Sequence, residues 1–237
     1  IITMGSYTAK ATLGGNPNLE DVRGGPTIVR KKNVLPTYHP RDMQARPHLW
    51  EVFESDVAKG LRHHADRLRW EDPAVYFNPD PKFVARFFKK IKAEKQALAY
   101  DVETDGIASL TTGLRCIGIG TKDEVLIIGF AAINGEPNAF YEKSDLEKIK
   151  ELLRQILIDE SVLKIGHNAG YFDRTVVEQH LGVTPAPLLD TLLLHKLAAS
   201  EFPHRLGFVA SLLLDVPAWK ADHTGVTAAT DQELHTY

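Results

Sequence analysis

Ala97-Leu98-Ala99-Tyr100-Asp101-Val102-Glu103-Thr104 is the stretch that decides how this chain is read. From Ala97 to Val102 the residues are apolar and β-prone, and turn residues follow, so the run predicts a strand. Side chains alternate along a strand, which sets Asp101 and Glu103 on one face at its end. Converging carboxylates suit hard divalent cations, which take oxygen ligands. Two such ions about 3.5 to 4 Å apart can activate water and stabilise the leaving oxygen of a phosphodiester. Acidic residues also decorate strand ends without any catalytic role, so D-x-E alone leaves both readings open.

Working outward, Cys116 to Gly120 and Val125 to Phe130 are short β-prone runs that predict neighbouring strands of the same sheet. Before them, Asp80-Pro81 reads as an N-cap followed by proline at the first helical position, with Phe83, Val84, Phe87, Phe88 and Ile91 as the buried stripe. After them, Ser144 and Glu147 read as a capping box opening a helix to about Leu157. Val162 to Gly166 reads as a further strand, leading into a helix from Tyr171 to Leu181 that Gly182 ends by supplying a left-handed position. Asp190 to Ala199 and Arg205 to Leu214 predict two more helices. Lys164-Ile165-Gly166-His167-Asn168 closes a strand, and Asp173 follows early on the next helix as a third carboxylate. Asn168 either fixes this loop and helps orient the site or is a plain turn residue. Asp173 either reaches a metal or is a favourable charge in a first helical turn. Asp190-Thr191 is an N-cap or a support for the same site.

The front of the chain reads differently. Ile1 to about Arg69 predicts a strand, a short helix near Tyr7 to Leu13, a loop rich in Gly and Pro, and a strand at Asn33 to Thr37. A long helix follows from roughly His48 to Arg69, its apolar residues Leu49, Val52, Phe53, Val57 and Leu61 falling near the 3.6-residue period and its basic residues gathering at the C-terminal end. Trp70 to Pro81 holds three prolines and reads as a linker. The 237 residues, 43% hydrophobic, suffice for one large core or two smaller ones. No apolar run approaches the ~20 residues of a membrane span, and no signal peptide is legible, so a soluble, intracellular protein is expected. The one cysteine, Cys116, sits in a predicted strand and is expected to be a buried structural thiol. The net charge of −3 does not advertise nucleic-acid binding, although carboxylates that hold cations offset basic residues in that sum. Ile1-Ile2-Thr3-Met4-Gly5 opens as if within a strand, and Thr230 with Glu233 caps a helix that has barely begun at Tyr237, so both ends are expected to be cuts through folded structure.

Taken together, D-x-E at Asp101 and Glu103, G-H-N-x-x-x-F-D from Gly166 to Asp173, the leucine-rich stretch and the late Tyr237 resemble the proofreading exonuclease of family A DNA polymerases, over about Lys82 to Tyr237. The resemblance implies an α/β fold with the RNase H-like mixed sheet and flanking helices of the DEDD nucleases. It implies that Asp101, Glu103 and Asp173 bind two Mg²⁺ or Mn²⁺ ions and that Tyr237 orients the attacking water. The family's final aspartate, one helical turn after the tyrosine, would lie past Tyr237. Thr104 and Asn168 are expected on the substrate side, Ile107 in the place of an apolar wedge between bases, and Trp219 as a stacking face; the last two are otherwise ordinary core residues.

A second resemblance lies at the front, where Ile1 to Gly5, Val22-Arg23-Gly24 and Leu35-Pro36-Thr37-Tyr38-His39-Pro40-Arg41 look like the C-terminal half of a uracil-DNA glycosylase. It implies that His39 contacts a flipped nucleotide, as a donor stabilising developing negative charge. The expected organisation is therefore a glycosylase-like part over 1–69, a linker over 70–81 and an exonuclease over 82–237, with a polymerase domain beyond, as in some bacteriophage replicative polymerases. The implied partner is single-stranded DNA or a frayed primer 3′ end, and the implied setting is the cytoplasm of a bacterial or phage-infected cell, with an organelle left open. Two alternatives stand beside it: an RNase D-like 3′-5′ exoribonuclease, and a non-catalytic DNA-binding or scaffold module.

Overall fold

A computed structural model describes residues 1–106, 112–132 and 140–217. The chain divides into two units, one made of Ile1–Glu71 and the described residues from His195 on, the other of Asp72–Leu194.

The first unit begins with β1 (Ile2–Met4), α1 (Ser6–Leu13) and α2 (Leu19–Val22), then β2 (Thr27–Val29), β3 (Lys32–Thr37), α3 (Asp42–Ala45) and α4 (Leu49–His64). Its strands form a small sheet in the order β1-β3-β2, with β1 parallel to β3 and β2 antiparallel to it. The helix expected to run to Arg69 stops at His64, because Asp66 turns left-handed at φ 53° and the Arg67 N–H reaches back 2.9 Å to the Arg62 carbonyl.

The second unit holds β4 (Ala74–Phe77), α5 (Pro81–Glu94), β5 (Leu98–Thr104), β6 (Leu114–Gly120), β7 (Glu124–Gly129), α6 (Lys143–Leu157), β8 (Lys164–Gly166), α7 (Phe172–Leu181), β9 (Leu188–Asp190) and the start of α8 (Thr191–Ala198). Six strands run in the order β4-β7-β6-β5-β8-β9. β5, β6 and β7 are joined antiparallel, while β4, β8 and β9 add in parallel, so the sheet is mixed. The stretch expected as a linker therefore carries a strand: Ala74-Val75-Tyr76-Phe77 is β-prone, and its flanking prolines fall outside the paired residues of an edge strand. Asp80 caps α5 as expected, its Oδ1 accepting from the Phe83 N–H at 2.8 Å, and Gly182 ends α7 at φ 71°. The Ser144 capping box does not form. Glu142 is the N-cap residue, and its carbonyl takes the first bonds from Asp145 and Leu146, leaving Ser144 within the helix. The helix expected from Asp190 begins at Thr191, with Asp190 itself the last residue of β9.

Among the described residues the second unit's core gathers 23 buried side chains and the first unit's core 9, so apolar burial carries the larger unit. Cys116 is buried in β6, and burial pushes its thiol up to about 12, the inert state the sequence suggests. The chain adds α9 (Leu206–Leu213) to the first unit, where Phe202 and Phe208 join the core of Ala9, Leu19, Val22, Tyr38, Met43, Leu49 and Val52. Residues 195–217, expected with the exonuclease, thus pack with the N-terminal residues. No helix of the described residues is long and apolar enough to cross a membrane.

Candidate functional site

The strand β5 alternates as the sequence predicts. Leu98, Tyr100 and Val102 are buried, while Asp101 is exposed and Glu103 half-buried on the other face. Asp173, in the first turn of α7, is buried, and its Oδ1 accepts a 2.9 Å hydrogen bond from the backbone N–H of Val102. That bond ties the start of α7 to the end of β5 and brings the Asp173 carboxyl against that of Asp101. Burial, and then the charge of Asp101, push the Asp173 carboxyl well above the usual carboxylate range. Two carboxyls this close resist ionising together, and a divalent cation would supply the missing counter-charge. The donor set, hard oxygens only, fits a magnesium-like ion. Among the described residues no group of three or more His, Cys, Asp or Glu side chains converges on one point, so Asp101 and Asp173 are brought together while Glu103 does not close a triad with them.

Behind the carboxyls a short loop is tightly held. Gly166 lies where a Cβ would collide with the Ala169 methyl and come 3.4 Å from the Tyr100 carbonyl, so the chain can pass close to β5 only without a side chain. Asn168 takes a left-handed conformation at φ 65°, which asparagine tolerates. Asp190 accepts from the N–H groups of Asn168 at 2.9 Å and Gly170 at 3.0 Å, and from Leu192 at 2.9 Å. Burial alone would raise the Asp190 carboxyl, yet these backbone N–H groups hold it below its ordinary value. Asp190 therefore accepts both from the first turn of α8, as an N-cap does, and from the Asn168 loop, which it anchors. The sequence alone leaves His167 unassigned. Its Nδ1 lies 2.9 Å from the Thr191 Oγ1, which donates at 3.1 Å to the Gly166 carbonyl. The adjacency of His167 to Asn168 and of Thr191 to Asp190 is the signal that could have found it.

Thr104 donates to the Gly106 carbonyl at 2.6 Å and shapes the turn after β5. His39, in the first unit, is exposed, and its Nδ1 accepts from the Arg41 N–H at 3.1 Å. Ile107, Trp219 and Tyr237 lie outside the described residues, as does the helix expected after Thr230.

A mixed sheet with flanking helices and an acidic pair at the end of a central strand defines the RNase H-like class of nuclease folds. The family model of a 3′-5′ exonuclease matches residues 79–230, and the chain belongs to that family. It is similar in structure to the catalytic core of RRP6 from Trypanosoma brucei, with a TM-score of 0.51 at 17% identity, covering 72% of this chain and 45% of that one. Further similar structures are Brucella melitensis NrnC with bound Mg²⁺ (TM-score 0.47, 22% identity, 70% of this chain and 73% of that one) and Escherichia coli RNase D (0.41, 22%, 65% and 34%). The chain thus spans less than half the length of the RRP6 chain and about a third of RNase D. No curated protein matches it.

Proposed function

We propose that this chain is the proofreading 3′-5′ exonuclease portion of a DNA-directed DNA polymerase, hydrolysing the 3′-terminal phosphodiester of single-stranded or frayed DNA. The observation that carries the reading is the Asp101–Asp173 carboxyl pair at the end of β5, inside the segment that matches the exonuclease family. The name of the family model, taken from DNA polymerase A, supports the polymerase setting. Asp101, Glu103 and Asp173 would hold two Mg²⁺ or Mn²⁺ ions, which supply charge neutralisation and an activated water for in-line attack. The Val102 N–H fixes Asp173, and Asp190 fixes the Asn168 loop beside it, so Asp173 is held in place before a strand end arrives. Tyr237 would orient the water, and Thr104, Asn168, Ile107 and Trp219 would line the strand's path. Residues 1–69 would be the C-terminal part of a glycosylase-like domain, with His39 directed to a nucleotide. Partners would be the primer 3′ end and a polymerase domain of the same polypeptide, in the cytoplasm.

A second reading is an RNase D-like exoribonuclease, because a carboxylate pair that holds metal does not by itself distinguish a strand with a 2′-hydroxyl from one without it. The Escherichia coli RNase D structure is described as that of "an exoribonuclease involved in structured RNA processing". Digestion of 3′-labelled DNA and RNA strands in parallel with Mg²⁺ or Mn²⁺, beside an Asp101→Ala/Glu103→Ala control, separates the two. A metal-dependent DNA ladder lost in the control supports proofreading. A ladder on RNA alone transfers the site to the second reading, and a folded protein that digests neither favours a binding module.

A further inference from the structure

Leu61 to Arg69 reads Leu-Arg-His-His-Ala-Asp-Arg-Leu-Arg, a concentration of positive charge in a chain whose net charge is −3. The left-handed turn at Asp66 ends α4 and folds Arg67 to Arg69 back beside it. The result is an open cleft of about 860 Å³ within the first unit, walled by Arg62, Arg67 and Arg69 and floored by Leu213, Leu214 and Asp215. Asp215 is committed to building it, accepting from the Arg62 guanidinium at 2.7 Å and from the Arg69 backbone N–H at 3.0 Å. The guanidiniums of Arg67 and Arg69 are exposed and pair with no carboxylate among the described residues. Leu213 and Leu214 are 70% and 46% exposed at the floor. Among the described residues the cleft therefore offers two planar cations without a carboxylate partner over an apolar base, on a frame already fixed by an ion pair.

We propose that this cleft is a second seat for single-stranded DNA, separate from the exonuclease carboxyls, in which Arg67 and Arg69 take backbone phosphates and the two leucines pack against sugar and base faces. Guanidinium forks match phosphate oxygens in pairs, and a cationic groove with apolar faces holds a strand with little sequence preference. The inference rests on the nuclease reading for its choice of a strand over an acidic peptide.

The test is fluorescence anisotropy of labelled dT16 with the full chain in EDTA, where no hydrolysis can occur, from 50 to 200 mM salt. Arg67→Gln/Arg69→Gln is expected to weaken binding roughly tenfold at low salt and to lower the slope of log affinity against log salt by about 1.4, the release expected for two contacts on a single strand. Lys10→Gln/Lys32→Gln, the same change of charge elsewhere on the first unit's surface, should leave the slope intact, and Arg67→Lys/Arg69→Lys should retain most of it. Thermal melts establish that every variant is folded. Equal losses in the arginine and lysine variants, or no binding of dT16 by the wild type, overturn the proposal. Stronger arginine-dependent binding of a polyglutamate peptide, or displacement of dT16 by millimolar inorganic phosphate alone, overturns it in favour of a peptide or a free-anion seat. Because binding is read without metal, failure of the exonuclease reading shows separately, as absent digestion in Mg²⁺.

Discussion

The two units solve the same problem with different materials. In the second, Ile117, Leu126, Ile128, Ile149 and Leu153 are among 23 buried residues that clamp α5 and α6 to the sheet, and the buried charges are few, Lys164 and Asp173 among the described residues. In the first, the apolar cluster has 9 members, and beside it lies a buried polar network. Arg23 and Asp56 form a paired-fork ion pair at 2.7 and 3.0 Å with both side chains fully buried, and Thr37 donates to the same carboxylate at 2.7 Å. Lys59 donates to the carbonyls of Gly24 at 3.0 Å, Leu214 at 2.6 Å and Ser211. Gly24, at φ 66°, has no room for a side chain, since a Cβ would stand 2.6 Å from Asp56. Much of this network fastens α9 and the residues after it. The family match, at 79–230, includes them, so the unit of ancestry and the unit of packing do not coincide. The N-terminal residues are scaffold for part of the exonuclease segment.

The comparison would break most visibly in catalysis. Asp101→Ala and Asp173→Ala remove groups that hold charge at the site, and each is expected to lower hydrolysis on the order of 10³-fold, the equivalent of several kcal/mol of charge stabilisation. Steady-state digestion of a 3′-labelled strand measures this, and circular dichroism should show both variants folded. A loss under tenfold for both would mean that the chemistry resides elsewhere.

Stability should break next, and differently in each unit. Asp56→Ala leaves the Arg23 guanidinium buried and unpaired; its Nη1 already has no partner among the described residues. The expected cost is about 3–5 kcal/mol. Ile149→Ala opens a cavity under the sheet at a cost of about 2–5 kcal/mol. The magnitudes overlap, but the locations should not. Hydrogen exchange resolved by peptide should accelerate over β3, α4 and α9 in the first variant and over β5, β6 and α6 in the second. Acceleration across both units in either variant would show that they unfold as one.

Alkali should sharpen the contrast. Burial pushes the Lys59 ammonium down to about 8, with Asp56 opposing and Arg23 reinforcing, so the unfolded chain binds its proton more tightly than the folded one. Between about pH 8 and the ordinary lysine value the unfolded state carries more protons, and the Lys59 contribution to stability rises with pH across that window. Urea midpoints of wild type and Lys59→Met from pH 8 to 10 should diverge in that sense. Parallel pH profiles would mean that its three carbonyl partners outweigh burial.

Sequence alone made the second unit legible because its signals are periodic and local. The alternation at Leu98 to Glu103 gave strand, face and carboxylate pair together, and Asp80-Pro81 and Gly182 marked helix ends whose caps the structure contains. What stayed hidden depends on contacts distant in sequence. Ala74–Phe77 reads as linker until its partner β7 is known, and Asp190 cannot be recognised as an anchor until Asn168 and Gly170 lie beside it. Lys59 meets Ser211 and Leu214 about 150 positions along the chain, and nothing in the amphipathic pattern of α4 announces that a lysine on its buried face has carbonyl partners.

The smallest effect belongs to a feature the sequence named outright. Asp80 satisfies one of the N–H groups that the first turn of α5 leaves over, at Phe83, and Pro81 removes another by having none. Asp80→Ala should cost about 1 kcal/mol, and Asp80→Asn, which keeps an acceptor, only a fraction of it. The loss should be local, because Phe87, Phe88 and Ile91 still bury the rest of the helix against the sheet. Guanidinium unfolding of the pair therefore separates the capping bond from the carboxylate's charge. Equal losses in both variants would assign the contribution to the helix dipole, which responds to the negative charge and not to the acceptor.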